Sequence, residues 1–136
     1  MTKLYVDSNV WIDLWADRMI GLIPVGHYAE NMVERALACE FNLVVSDFIL
    51  KEVEHNLNIN AEERLIPLKQ AGKLQVEKVD SRTFAEAKTM SFERNIPIHD
   101  AMHALMARKV GALLITRDKH FQELTDIVKT LEPSEL

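Results

Sequence analysis

Four acidic residues stand where the chain is expected to pass from one kind of secondary structure to another: Asp7, Glu52, Asp100 and Asp118. Like charges brought together raise one another's pKa, so three or four carboxylates share a site stably mainly when a cation shares it with them. Oxygen ligation without His or Cys at metal spacing favours a hard ion, Mg²⁺ or Mn²⁺, over zinc. Such ions serve displacement at phosphorus best, one activating water and another stabilising the leaving oxygen. The chain holds 21 acids in 136 residues, so each of the four taken singly reads as a helix cap or a solvated charge. Their joint placement carries the argument.

The elements that must position them follow from periodicity. An apolar run within residues 4–11 stops on Asp7, and Ser8 or Asn9 is suited to cap a helix over 9–20 that Gly21 ends. After a turn at Pro24 and Gly26, residues 27–40 show Met32, Ala36, Leu37 and Ala38 on an amphipathic helix. Residues 41–47 suit a second buried strand, with Ser46 or Asp47 capping a helix over 48–58 whose apolar face is Ile49, Leu50, Val53 and Leu57. Pro67 predicts a kink or two short pieces within 61–71. Residues 74–79 alternate as a half-exposed strand at a sheet edge, and 81–94 reads as a helix turning Phe84, Ala85, Ala87 and Phe92 inward.

The most apolar helix, 99–110, carries Asp100 on the same stripe as the small residues Ala104, Ala107 and Gly111, and the helix dipole favours an acid there. A buried strand at 112–116, a short helix at 119–124 and a last strand at 127–131 complete the chain. Strands alternating with helices predict an α/β/α sandwich around a mainly parallel sheet of about five strands, as a single domain over residues 1–136. In such a sheet the strand C-termini share one edge, so Asp7 and Asp118 are expected to be neighbours. Strand order is not readable from periodicity.

At 136 residues and 48% hydrophobic content, one core can bury roughly two-thirds of the unfolded surface. The single Cys, Cys39, allows no intramolecular disulfide and favours a reducing compartment; with no long apolar run, the expectation is a soluble cytoplasmic protein without membrane contact. A net charge of −5 argues against binding nucleic acid by bulk charge, but not against an enzyme whose acids hold cations.

At these residues the chain resembles the PIN-domain family of metal-dependent ribonucleases, and in particular the small VapC-like toxins. The resemblance rests on YVDSNVWIDL with Asp7 and Asn9, VVSDFILKEVE with Glu52, IHDAMHALMA with Asp100, and LLITRDKHF with Thr116, Asp118 and Phe121. It implies endonucleolytic cleavage of RNA at an acidic pocket that holds Mg²⁺ or Mn²⁺. Asp7, Glu52, Asp100 and Asp118 would be the metal-binding acids, with Asn9 and Thr116 as polar helpers. Glu52 is chosen over Glu54 by the resemblance alone, since both flank the same helical face. The resemblance further implies an antitoxin protein as a possible partner, and a homodimer using an apolar face left on the first or second helix.

Several side chains near the motifs have plainer readings beside the functional one. Arg117 and Lys119 bracket Asp118 and could hold an RNA backbone or be solvated charges. His99 and His103 read as a turn residue and a half-buried helix residue. His27, His55 and His120 lack partners at metal spacing. Trp11, Trp15, Met102 and Met106 read as core or interface, with Trp15 able to stack a base if exposed. A phosphoacceptor receiver domain is the rival from another class, but it needs two acids after strand one and a Lys after strand five. Here Asp80 ends strand three, strand one offers only Asp7, and no suitable Lys follows the last strand. A non-catalytic PIN-like scaffold would lose acids that this chain keeps, and a flap nuclease of related fold would be longer.

Overall fold

A computed structural model describes residues 1–136. Five strands, β1 (Lys3–Val6), β2 (Asn42–Ser46), β3 (Leu74–Glu77), β4 (Leu113–Ile115) and β5 (Thr130–Leu131), form one sheet in the order β3-β2-β1-β4-β5. All four pairings are parallel. Helices α1 (Ser8–Trp15), α2 (Val25–Leu37), α3 (Asp47–Leu57), α6 (Ser81–Arg94) and α7 (Ile98–Lys109) supply the covering layers, with two short helices, α4 (Ala61–Arg64) and α5 (Ile66–Gln70), between α3 and β3. Leu4, Tyr5, Val6, Leu43, Val44, Val45, Leu114 and Ile115 are buried in the central strands, as parallel strands covered on both faces require. No helix is long and apolar enough to cross a membrane.

The strand order runs outward from β1 through β2 to β3, then restarts on the other side of β1 with β4. Between β1 and β4, therefore, lies the point where the order reverses, which is where open α/β sheets leave a crevice at their carboxyl ends. Asp7 follows β1 and Thr116 follows β4, and the Asp7 amide donates to the Ile115 carbonyl at 2.9 Å. The two strand ends are thus still joined where they leave the sheet.

Local expectations hold with instructive exceptions. Pro67 does split its segment, standing in the first turn of α5, and β3 is the half-exposed edge strand. Helix α1 stops at Trp15 instead of continuing to residue 20, because Asp17 takes a left-handed conformation (φ 48°). Gly26 lies so close to this turn that an added Cβ would stand 2.7 Å from the Asp13 carbonyl, a contact only glycine tolerates. In α2 the buried face is Ala29, Met32 and Ala36, while Leu37 is exposed and Ala38 is the C-cap. Helix α6 is also turned from its expected face. Thr83 and Ala87 are buried at helical spacing, Phe84 is half-buried and stacks on Phe48, and Ala85 and Phe92 point outward, Phe92 with 90% of its surface exposed.

Candidate active site

Asp7 is itself the cap of α1, accepting from the Ser8 amide at 2.8 Å through Oδ1, where Ser8 or Asn9 was the expected cap. Its Oδ2 accepts from the Thr116 hydroxyl at 2.8 Å and from Asn9 Nδ2 at 3.2 Å. The Thr116 oxygen in turn accepts from Asn9 Nδ2 at 3.1 Å and from the Asp118 amide at 3.0 Å. Asn9 uses its carbonyl end to accept from the Arg117 amide at 3.3 Å. Asp7, Asn9, Thr116 and the backbone before Asp118 are therefore one hydrogen-bonded unit across the sheet's reversal point.

Glu52 enters from α3, where Ser46 caps the helix by accepting from the Ile49 amide at 3.2 Å. Its Oε2 accepts from Ser8 Oγ at 3.3 Å, and its Oε1 lies 2.8 Å from His103 Nε2. These contacts separate Glu52 from Glu54, which periodicity left equivalent. Asp100 stands in the first turn of α7, half-buried, on a helix whose Ala101, Ala104 and Ala107 are fully buried. Asp118 caps a 3₁₀ turn (Lys119–Leu124) by accepting from the His120 amide at 2.9 Å, and it pairs with His120 Nδ1 at 2.9 Å.

Asp7 and Asp100 each feel neighbouring acids. Burial pushes the Asp7 carboxyl up, against the His103 imidazole, the Thr116 hydroxyl and the Ser8 amide, which pull it down, while Glu52 adds to the rise. Burial also pushes Asp100 up, followed by the charges of Asp118 and Asp7. Glu52 is raised by burial, but the His103 hydrogen bond and charge, His99 and Ser8 outweigh this and hold it below the ordinary carboxylate range. The donor set fits a hard divalent cation, being oxygen-based, half-open to solvent and electrostatically crowded in the way a cation relieves. As they stand, no three His, Cys, Asp or Glu side chains are grouped so as to hold one ion. Asp7 and Glu52 are fixed by donors, whereas Asp118 is turned onto its own helical turn.

Among the neighbouring side chains, Arg117 does not project free. Its Nε and Nη2 grip both oxygens of Asp13, the latter at 2.8 Å, and Asp13 is fully buried. Sequence reasoning missed Asp13, and 104 residues separate it from its partner. Lys119 is exposed beside Asp118. Trp15 is half-buried and stacked on Trp11 with ring centroids 5.2 Å apart, so one of its faces is taken. His99 is exposed and meets Phe48 edge-on, but His103 is fully buried, not half-buried. Its only sequence signal was its position one turn after Asp100 on the same helix.

Fold and site together define an α/β domain with a buried carboxylate, Asp7, bonded across the reversal point of a parallel sheet. A family model described as the PIN domain matches residues 4–127, and the chain belongs to the PIN-domain family. Members of this family are generally nucleases, and generally use divalent metals. Solved structures with the same fold include a toxin-antitoxin complex from Klebsiella pneumoniae (18% identity, TM-score 0.66, covering 96% of this chain and 97% of that one). VapBC2 from Rickettsia felis, bound to a DNA fragment from its promoter, matches at 15% identity and TM-score 0.69 over 96% and 98% of the two chains. PAE2754 from Pyrobaculum aerophilum matches at 19% identity and TM-score 0.61 over 98% and 91%. No curated protein matches the chain significantly in sequence.

Proposed function

We propose that this PIN domain is a divalent-metal-dependent endoribonuclease, with Mg²⁺ or Mn²⁺ as the ion, and the toxin of a toxin–antitoxin pair. The observation that supports the reading is the pairwise coupling of acids from separate elements: Asp7 is pushed up by burial and by Glu52, and Asp100 by burial and then by Asp118 and Asp7. Asp7 and Glu52 would hold the ion from the rigid side, and Asp100 and Asp118 would close on it from the other. A bound divalent cation would supply Lewis acidity, activating water and stabilising charge on the phosphate as the ester bond breaks.

The chain's own residues do the rest. Asn9 and Thr116 keep Asp7 Oδ2 aimed by two hydrogen bonds, and Thr116 fixes the backbone from which Asp118 springs. Lys119, exposed beside the acids, would meet the RNA backbone as a point charge. Arg117 would do so only with what its Asp13 pairing leaves free, which makes it first a support for the 116–118 turn. The antitoxin assignment draws support from the toxin-antitoxin complex among the structures of like fold. The exposed apolar residues Met19, Ile20, Leu22 and Ile23, between α1 and α2, are where the proposed homodimer or antitoxin would find surface to cover. The sheet order argues against a receiver domain, whose strands run 2-1-3-4-5.

Cleavage of structured and single-stranded RNA with Mg²⁺ or Mn²⁺, with EDTA and with the Asp7→Asn variant tests the reading. Internal cleavage that needs the ion and is lost in the variant supports it. Activity that survives both EDTA and Asp7→Asn overturns it.

A further inference from the structure

His103 closes a buried circuit of hydrogen bonds that runs through both halves of the domain. Starting at Ser46, the hydroxyl oxygen caps α3 through the Ile49 amide at 3.2 Å, and α3 carries Glu52 one turn later. Glu52 Oε1 lies 2.8 Å from His103 Nε2, His103 Nδ1 lies 2.9 Å from the Tyr5 hydroxyl, and that hydroxyl also lies 2.8 Å from Ser46 Oγ. Ser46, Tyr5 and His103 are all buried, His103 with 2% of its surface exposed. The imidazole is held at both nitrogens, and its ring lies 5.8 Å from the Tyr5 ring, tilted by 42°. It therefore has a fixed orientation, and the face it shows to Glu52 is fixed with it.

We propose that His103 is a positioning residue for Glu52: it pins Oε1 from α7 so that the carboxylate is presented to the acidic pocket in one orientation. This rests on the reading of Glu52 as a metal-binding acid. A glutamate has three rotatable bonds, and on a partly exposed helix face it samples several rotamers. The weak 3.3 Å contact from Ser8 to Oε2 would not hold it alone. With Oε1 occupied by the imidazole, Oε2 is the oxygen left for an ion. Outer partners that orient a ligand in this way typically alter metal affinity or activity 10- to 100-fold when removed. His103 and Asp100 sit one turn apart on α7, so one helix would supply a metal acid and also orient another acid on α3.

The test is calorimetric titration of Mn²⁺ into the full chain as wild type, His103→Leu, His103→Gln and Tyr5→Phe, with thermal unfolding in EDTA to confirm that each variant folds. His103→Leu is expected to weaken Mn²⁺ binding about 10- to 100-fold. His103→Gln, whose amide can still donate to Glu52, is expected to recover most of that loss, and Tyr5→Phe to lie between it and wild type. Folded His103→Leu with wild-type Mn²⁺ affinity overturns the proposal and leaves the nuclease reading intact. Should His103→Leu fail to fold, His103→Gln and Tyr5→Phe decide: wild-type affinity in Tyr5→Phe together with a full loss in His103→Gln overturns it. Wild type that takes up no Mn²⁺ overturns the metal reading itself, and this proposal with it.

Discussion

The two halves of the acidic pocket are built differently. On the β1 and α3 side, Asp7 accepts three hydrogen bonds and Glu52 meets both Ser8 and His103. On the α7 and β4 side, Asp100 meets burial and negative charge, and Asp118 engages its own turn and His120 through Oδ1. A site rigid on both sides would pay for its charge repulsion whether or not a cation were present. One side held by several donors and one held by fewer would let the fold carry the charge of the four acids and still present Asp7 and Glu52 in fixed orientations, with repulsion concentrated at Asp100. The same contrast accounts for four acids at one edge without three of them grouped on a common point.

The largest expected effect comes from the support under the half held by fewer donors. Asp13 is fully buried and gripped by Arg117, so Arg117→Ala leaves its charge with only the more distant Arg18 guanidinium at 3.8 Å, at a cost of up to about 3–5 kcal/mol. Chemical denaturation measures this loss directly. Arg117→Ala together with Asp13→Leu should recover much of the stability, because the buried charge is then gone.

Asp7→Asn should separate stability from activity on the rigid half. Burial raises the Asp7 carboxyl above its unfolded value, so the folded state binds the proton more tightly, and ionisation costs stability as pH rises from the ordinary Asp value through the raised one. Asparagine caps helices as well as aspartate does. In EDTA at neutral pH the variant should therefore melt above wild type, by roughly 3–5 °C for each kcal/mol gained, while RNA cleavage falls. At acid pH, below the ordinary Asp range, the gain should vanish. A lower melting temperature at neutral pH would mean that the hydrogen bonds to the charged carboxylate outweigh its burial.

The smallest effects belong to pairs remote from the pocket. Arg94 binds Asp126 through two bonds of 2.9 and 2.7 Å, and Lys109 binds Asp80 at 2.8 Å. These partners, hydrogen bonds first, hold both carboxyls below their usual range. Their contribution is thus present above the ordinary Asp value and is lost as pH falls through the depressed folded values. Both pairs are exposed, so high salt should flatten this acid limb of a melting profile without altering cleavage of RNA.

Which of these features could be read in the sequence follows from the range of the contacts involved. Strands such as Leu43 to Val45 and Leu113 to Ile115 announce themselves as apolar runs, and Pro67 breaks its helix wherever the chain folds. Asp7 and Asp118 could be placed together because parallel strands share their C-terminal edge. The facing of α6 could not be read: Phe92 is as apolar as any core residue, yet helix rotation buries Thr83 and Ala87 and leaves Phe92 in solvent. Nor could the choice of Glu52 over Glu54, because the deciding imidazole is 51 residues away in sequence, and its other anchor, Tyr5, is 98 residues from it. Local pattern finds the candidate acids, and long-range packing decides how they are held.

Calorimetric titration of Mn²⁺ into wild type, Glu52→Gln and Asp118→Asn bears most directly on the shared site, since the two substitutions lie on its opposite sides. A single binding event weakened roughly tenfold or more by each substitution is the predicted result. Wild-type affinity in either variant would contradict a site shared by the two halves.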